Sequence, residues 1–257
     1  MNADPGYFGP NSMMWKVNKE ITVLFGGARA LLMHAAHPLI AAGARQTSFY
    51  QRDPWKRLIR TLSLQNSVTF GTIEEANDSA TRINRLHEVI KGKDEVTGGY
   101  YDALDHEQLL WVHACLQISS IYFYEKTVRK LTDDEKNQYH DENMVSAKLV
   151  LIDIDKTPKT HEELKRWVME KSRDKNYLRL TDVAKDVQDI ISGGPVPKHI
   201  KPIWPFISFT AFNTLPDEFK KLYGVKSSKF KSLLLGFNLY LLKFTRPLLP
   251  PFFRLIP

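Results

Sequence analysis

Two histidines fall on apolar faces of neighbouring predicted helices. His87 shares its face, by three- and four-residue spacing, with Ala80, Ile83 and Ile90. His113 lies on the next predicted helix, on a face with Leu109, Val112 and Leu116. Burying an imidazole nitrogen without a partner costs about 1 to 3 kcal/mol. The pattern therefore predicts either core histidines bonded to a carbonyl or carboxylate, or ligands of a metal or cofactor.

Two arginines and a threonine form a second candidate group just before His87. Asp53-Pro54-Trp55 opens a predicted helix, on which Arg57, Arg60 and Thr61 lie at positions i, i+3 and i+4 and share one face. This face is either solvated or turned inward, and buried guanidinium groups need anionic partners. A ligand carboxylate or phosphate is the candidate partner in the second case.

The segment Gly26-Gly27-Ala28-Arg29 follows an apolar run and superficially resembles a phosphate-binding turn. The dinucleotide fingerprint also needs a third glycine at defined spacing and a following strand, and the sequence has neither. Small residues that permit a close helix contact are the favoured interpretation. The sequence contains no nucleophile elbow, Walker loop or HExxH motif, which excludes the common hydrolase, nucleotidase and zinc-protease classes.

The elements that must position these residues are predicted to be helices. Capping boxes, in which a side chain at the helix start bonds the amide three residues on, are expected at Thr72, Asp105, Thr132 and Thr160. Pro216 is expected at the first position of a further helix that Gly224 ends. The only strand-like run is 149–154, where two aspartates favour a helix end running into a loop.

Composition indicates one globular unit. With 257 residues, 43% hydrophobic and 25% charged, the chain can form one core and is neither disordered nor disulfide-stapled. We therefore predict an all-α, single-domain bundle spanning residues 1–257, with Gly193-Gly194-Pro195 as the candidate boundary of a C-terminal cap, 193–257. A lone Cys115 and the absence of a signal-peptide pattern favour the cytoplasm. The net charge of +7 comes with no nucleic-acid-binding signature, so no nucleic-acid partner is expected.

Two apolar stretches could be mistaken for membrane spans. The first, 21–44, carries charged and histidine residues and is predicted to be two buried helices broken at His37-Pro38. The second, 233–253, is interrupted by prolines and cations. On this second stretch an apolar helical face is flanked by cations, which fits either packing on the bundle or peripheral contact with an anionic membrane. Its apolar residues are Leu233, Leu234, Phe237, Leu241 and Phe244, and its cations are Lys229, Lys231, Lys243 and Arg246.

Several segments in order resemble the family that unites MpaB-type oxygenases with latex-clearing rubber oxygenases. The resemblance covers most of the chain. The matching segments are Gly-Gly-Ala-Arg-Ala-Leu-Leu at 26–32, Ala-His-Pro-Leu-Ile-Ala-Ala-Gly at 36–43, Asp-Pro-Trp-Lys-Arg-Leu-Ile-Arg-Thr-Leu at 53–62, Phe70-Gly71, Arg85-Leu86-His87, Tyr-Asp-Ala-Leu-Asp at 101–105, Leu-Trp-Val-His-Ala at 110–114 and Leu-Pro-Pro at 249–251.

The resemblance implies an all-α fold that holds haem b. It places His87 as the axial iron ligand, and it places Arg57, Arg60 and Thr61 on the opposite side, where rubber oxygenases carry an arginine, a lysine and a threonine. Arg60 departs from that pattern because a guanidinium stays protonated and is a poor iron ligand, which leaves the distal site open or water-filled. The glutamate base of rubber oxygenases has no counterpart that can be placed here.

Two functions follow as hypotheses. The first is a haem b-dependent oxygenase-like protein that acts with dioxygen on an apolar, isoprenoid or lipid-like substrate. In it Arg29 is a further candidate for the haem propionates, His113 for bound oxygen or for orienting the porphyrin, and His37 for a cofactor contact or a structural cap. The second is a helical carrier of an apolar ligand or of haem, without turnover. His113 is the rival of His87 as axial ligand.

Overall fold

Helices account for most of the chain. The protein is seen in a computed structural model that describes residues 6–47 and 54–250, apart from the side chains at positions 54, 55, 57, 58, 60 and 64. Over these residues it forms twelve α-helices and one two-stranded sheet, and the predicted all-α class is confirmed. The helices are α1 Met13–Asn18, α2 Phe25–Ala35, α3 Pro38–Thr47, α4 Pro54–Phe70, α5 Ile73–Glu88, α6 His106–Thr127, α7 Asp133–Leu149, α8 His161–Arg173, α9 Asp182–Gly193, α10 Trp204–Asn213, α11 Asp217–Leu222 and α12 Lys229–Thr245.

Side-chain caps begin four helices at the predicted residues. The Thr72 hydroxyl accepts a hydrogen bond from the Glu75 amide at 3.1 Å, and the Glu75 carboxylate accepts one from the Thr72 amide at 2.9 Å. Thr132 and Glu135 form the same reciprocal pair at the start of α7. Each satisfies amides that the first helical turn leaves unpaired. At Asp105 and Thr160 the side chain also accepts from the amide three residues on, but the reciprocal bond of the predicted box is not formed, and the Glu163 carboxylate accepts from the Lys159 amide instead.

Helix ends are also close to the sequence prediction. α7 ends at Leu149, and Leu151 has a φ of 66°, so the run 149–154 is a helix end rather than a strand. Gly224, with a φ of 66°, follows α11 in the left-handed conformation that glycine adopts without strain. Pro216 differs from the prediction because it is the N-cap of α11 and precedes its first helical residue.

A short antiparallel hairpin between α5 and α6 was not predicted. Strand β1, Lys91–Lys93, pairs with β2, Tyr100–Asp102, and Lys91 lies opposite Asp102. The Asp94 carboxylate accepts hydrogen bonds from the Thr97 amide and hydroxyl at 2.9 and 2.6 Å and thereby holds the turn. Three-residue strands are too short to show the alternation of polar and apolar residues by which strands are recognised.

The core is built around α6, which is apolar on almost every side. Its buried side chains include Trp111 and Phe123, and neighbouring helices cover it on several flanks. α2, α7, α8 and α12 all pack against it. A helix that is hydrophobic all round is stable in water only when it is surrounded in this way. α6 therefore fixes the positions of its neighbours.

Gly26 lets α2 approach the backbone of α6 closely. A Cβ atom at Gly26 would lie 3.1 Å from the carbonyl oxygen of Ser119, whereas one at Gly27 would meet nothing within 4 Å. The prediction that small residues serve a close helix contact, rather than a phosphate-binding turn, is therefore confirmed for Gly26.

The chain bends sharply between α2 and α3, at His37-Pro38. The two apolar segments Ile21–Ala35 and Pro38–Thr47 meet at 102°, which agrees with two helices broken at this point. Within the described ranges no single helix has the length and hydropathy of a membrane span, and this bent pair alone meets those limits when its halves are taken together.

The segment predicted as a C-terminal cap packs on the remainder of the bundle. α10 contacts α2 and α9, and α12 contacts α6 and α10. The indole of Trp204 donates a hydrogen bond to the Ile191 carbonyl at 3.0 Å and so links α10 to the end of α9.

We expect alanine substitutions at the two adjacent glycines to have different effects on stability. Gly26→Ala should lower the free energy of unfolding by about 1 to 3 kcal/mol, since the new methyl group presses on the α6 backbone. Gly27→Ala should leave it unchanged or raise it by up to about 1 kcal/mol because alanine favours the helix. Urea denaturation of both variants measures this, and equal effects would contradict the close contact.

Candidate functional site

His87 lies on a helical hairpin formed by α4 and α5. The hairpin turns at Gly71 and Thr72, and the two helices pack against each other. Ala80 on the His87 face is buried, while Ile83 and His87 itself are half-buried. The face that carries His87 is therefore turned toward protein rather than solvent.

The His87 ring has a buried nitrogen with no hydrogen-bond partner. Its Nδ1 atom is shielded from solvent, and no described residue donates to it or accepts from it. Burial lowers the pKa of His87 below its usual value, so the ring is neutral at pH 7. A neutral imidazole is the form that binds a metal ion.

Asn84, three residues before His87, is a candidate site residue that was not predicted from the sequence. Its Nδ2 donates to the Leu149 carbonyl at 2.9 Å, which ties α5 to the end of α7. Its Oδ1 is buried and has no partner among the described residues. Nearby on α7, the Ser146 hydroxyl is buried and unpartnered in the same sense. An amide on the apolar side of α5, one turn before a histidine, is the sequence signal that could have identified Asn84.

His113, like His87, is half-buried. It lies in the middle of α6, and its Nε2 is buried without a partner within the described structure. Burial lowers the pKa of His113 to about 4, and the nearby His140 adds to the lowering. His113 is thus neutral at pH 7 and has the same unsatisfied character as His87.

Two further histidines were missed from the sequence: His140 lies close to His113, and His161 lies close to His140. The His140 Nε2 is 2.9 Å from the Pro158 carbonyl, which can only accept, so Nε2 carries the proton. The Nδ1 of His140 consequently accepts from the Gln117 amide at 3.0 Å. His161 has a buried Nδ1 without a described partner, and burial lowers its pKa to about 4.

We call His113, His140 and His161 the histidine cluster. Over the residues that the structure describes, no group of three or more His, Cys, Asp or Glu side chains could hold a metal ion. Neither His140 nor His161 could be inferred from the sequence, because polar and charged residues surround both positions.

His37 caps α3, as the sequence analysis allowed. Its Nδ1 accepts a hydrogen bond from the Ile40 amide at 3.4 Å, and its ring stands edge-on to Tyr177 with centroids 4.6 Å apart. Burial lowers the pKa of His37 to about 4. The ring is therefore neutral and fixed where the chain leaves α2.

Arg29 is buried between α2, α6 and the end of α10. Its Nε donates to the Thr214 carbonyl at 3.0 Å, its Nη1 donates to the Ser119 hydroxyl at 2.5 Å, and its guanidinium lies 5.1 Å from the centre of the Tyr122 ring. Burial lowers the pKa of Arg29 to about 10, which still leaves it charged at pH 7. These contacts account for much of its bonding capacity within the fold.

The remaining predicted residues lie on α4. The side chains of Arg57 and Arg60 fall outside the described residues, and Thr61 is exposed. The backbone of α4 is helical over all three, so their i, i+3, i+4 spacing places them on one face of the helix that precedes His87.

Comparison with known proteins identifies the family. Residues 15–246 match the catalytic domain described as "ER-bound oxygenase mpaB/B'/Rubber oxygenase". The chain belongs to this mpaB and rubber oxygenase family. No curated protein and no solved structure gave a significant match.

Membership in the mpaB and rubber oxygenase family makes the chain an oxygenase-type catalytic domain. The matched range contains the α4–α5 hairpin and all the histidines of the cluster. The match leaves out residues 1–14 and 247–257.

The buried neutral histidines should make stability fall in acid. His161 has a pKa of about 4 in the folded chain and about 6.5 when unfolded, so below pH 6.5 the unfolded chain binds the additional proton. The free energy of unfolding should therefore lose about 2 kcal/mol through this residue between pH 7.5 and pH 5. His161→Gln should remove that share of the pH dependence in urea titrations.

The matched control is His199→Gln, the same replacement at an exposed histidine. An identical loss of stability at pH 5 in wild type and His161→Gln would show that His161 is protonated as easily in the folded chain as in the unfolded one.

Proposed function

We propose that this protein is a haem b-dependent oxygenase-like enzyme that acts with dioxygen on an apolar, isoprenoid or lipid-like substrate. The proposal joins the oxygenase family to one observation, the buried and unpartnered ring nitrogen of His87. A buried polar atom that stays unpaired lowers stability, and binding a metal centre is one way to remove that penalty.

The chemistry of His87 fits a residue that would hold haem through its iron. The ring is neutral because burial lowers its pKa, so no proton has to leave before it binds iron. Haem, when bound, supplies the redox chemistry with dioxygen. The protein supplies an imidazole held by a capped helix and an apolar flank at Ala80 and Ile83.

The α4 residues are proposed to act on the cofactor side opposite His87. Arg57 and Arg60 would pair with haem propionates or line the distal side, and Thr61 would offer a hydroxyl there. Arg60 cannot readily ligate iron because its guanidinium stays protonated, which leaves that side available to dioxygen. Arg29 is a weaker propionate candidate, since Thr214 and Ser119 already take two of its donors.

His113 is proposed to act on bound oxygen or substrate rather than to anchor the cofactor. Its neutral ring with a free buried Nε2 can donate or accept one hydrogen bond without a change of charge. Asn84 is proposed to assist by presenting its unpaired Oδ1 beside His87. His37 is proposed to support the site from α3, because its bond to Ile40 fixes its ring as a cap.

The decisive experiment is haem loading of histidine variants. Expressed with haem precursor, the wild-type chain should purify coloured, with stoichiometric haem b and a Soret band. His87→Gly should lose the haem because the axial nitrogen is gone, and added imidazole should restore the band by taking its place. His113→Gly should keep haem and change ligand binding or turnover.

His199→Gly is the matched control and should behave as wild type, since this exposed histidine lies far along the chain from the hairpin. A colourless wild-type protein that also fails to bind added haemin would overturn the proposal and favour the carrier of an apolar ligand. If His113→Gly loses haem while His87→Gly retains it, the two roles are reversed.

A further inference from the structure

Helix α12 exposes a continuous apolar stripe. Leu233 is 74% exposed, Phe230 72% and Phe237 58%, although each is a residue that a folded chain normally covers. The helical spacing of three and four residues puts them on one side, together with Tyr240, Leu241 and Phe244. Single exposed apolar residues are ordinary, but a contiguous row of aromatic and aliphatic side chains marks an interaction surface.

This stripe differs from the face that the sequence predicted. Leu234 is half-buried and turns toward the bundle, while Phe230 and Tyr240 belong to the exposed row. Arg246 is also removed from the cationic rim, since its Nε donates to the Glu20 carboxylate at 2.7 Å and its Nη2 contacts the other oxygen. Glu20 is buried, so this pair belongs to the interior.

The opposite side of α12 holds the helix on the bundle. Asn238 and Leu239 are buried, and the Asn238 amide lies 3.5 Å from the Thr210 hydroxyl on α10. The Arg246–Glu20 pair anchors the end of the helix to the segment before α2. The exposed stripe is therefore a fixed surface of the folded protein rather than one side of a loose tail.

The charge around the stripe is of one sign. After Glu218 the sequence contains no aspartate or glutamate. Lys229 and Lys243 fall beside the stripe by helical spacing, and Lys226 lies three residues before the start of the helix. None of these three lysines forms an ion pair with another residue of the described chain.

We propose that the α12 stripe docks onto the surface of an anionic lipid membrane, with its apolar side chains in the headgroup boundary and its lysines on the lipid phosphates. An apolar helical face with a cationic rim is the pattern of helices that lie in a membrane interface. Two copies of this face would instead bring unpaired lysines against each other. The proposal rests on α12 alone and holds whether or not the chain binds haem.

Vesicle cosedimentation tests the proposal with the full chain. Vesicles of phosphatidylcholine with phosphatidylserine should bind it at low salt, whereas pure phosphatidylcholine should bind it far less. Phe237→Glu should weaken binding by about tenfold or more, because a large apolar side chain no longer enters the interface. Val96→Glu, an equivalent change at an exposed apolar position of the β1–β2 turn, should leave binding unchanged.

The lysine contribution has its own expected result. Lys229→Glu with Lys243→Glu should abolish the preference for phosphatidylserine, and raising salt should weaken wild-type binding. A site-attached dye reports insertion directly because the chain's own thiol is buried: burial raises the pKa of Cys115 and leaves it unreactive. The dye's emission should shift to the blue with vesicles when it is attached at Leu233→Cys, and not at Val96→Cys.

Two results would overturn the proposal. One is no binding of the folded wild-type chain to phosphatidylserine vesicles at low salt. The other is vesicle binding that survives both Phe237→Glu and the double lysine change. A wild-type dimer in sedimentation velocity that Phe237→Glu converts to a monomer, without vesicle binding, would show that a second copy of the chain covers the stripe.

Discussion

The fold depends on burying α6, a helix with apolar side chains on nearly every side. Such a helix needs neighbours around its circumference, and α2 supplies the closest of them because Gly26 lets its backbone approach Ser119. The same burial also determines which ionisable side chains of α6 can carry a charge. A histidine in the middle of α6 cannot remain charged away from water, and its pKa falls accordingly.

Burial of imidazoles connects the fold to the proposed chemistry. The structure places several neutral rings in its interior, and they fall into two groups. Both ring nitrogens of His140 have partners, and the Nδ1 of His37 accepts from the Ile40 amide, so these two rings serve the fold. His87, His113 and His161 each keep a buried nitrogen without a described partner. A fold that leaves such atoms unpaired bears a free-energy cost that a bound group can remove.

Much of this organisation could be predicted from the sequence because local rules decide it. The capping threonines, the glycine after α11 and the break at His37-Pro38 all act through bonds or dihedral angles within a few residues. The inward direction of His87 and His113 followed from helical spacing in the same way. The hairpin at Lys91–Lys93 was missed because short strands leave no periodic signal.

The remainder depends on tertiary contacts that spacing does not reveal. His140 and His161 come to the core only through the packing of α7 and α8, and their surrounding residues in sequence are polar. Arg29 could be recognised as notable, yet its bonds to Thr214 and Ser119 join positions far apart in the chain. For α12 the periodicity predicted an apolar face, but only the fold shows which of its residues the described part of the chain leaves exposed.

The most direct measurement is a crystal structure of the protein purified with haem. It should show haem b beside the α4–α5 hairpin, with its iron bonded to a ring nitrogen of His87. His113 should not be bonded to the iron. Iron bonded to His113, or haem bound away from the hairpin with His87 unligated, would contradict the central claim.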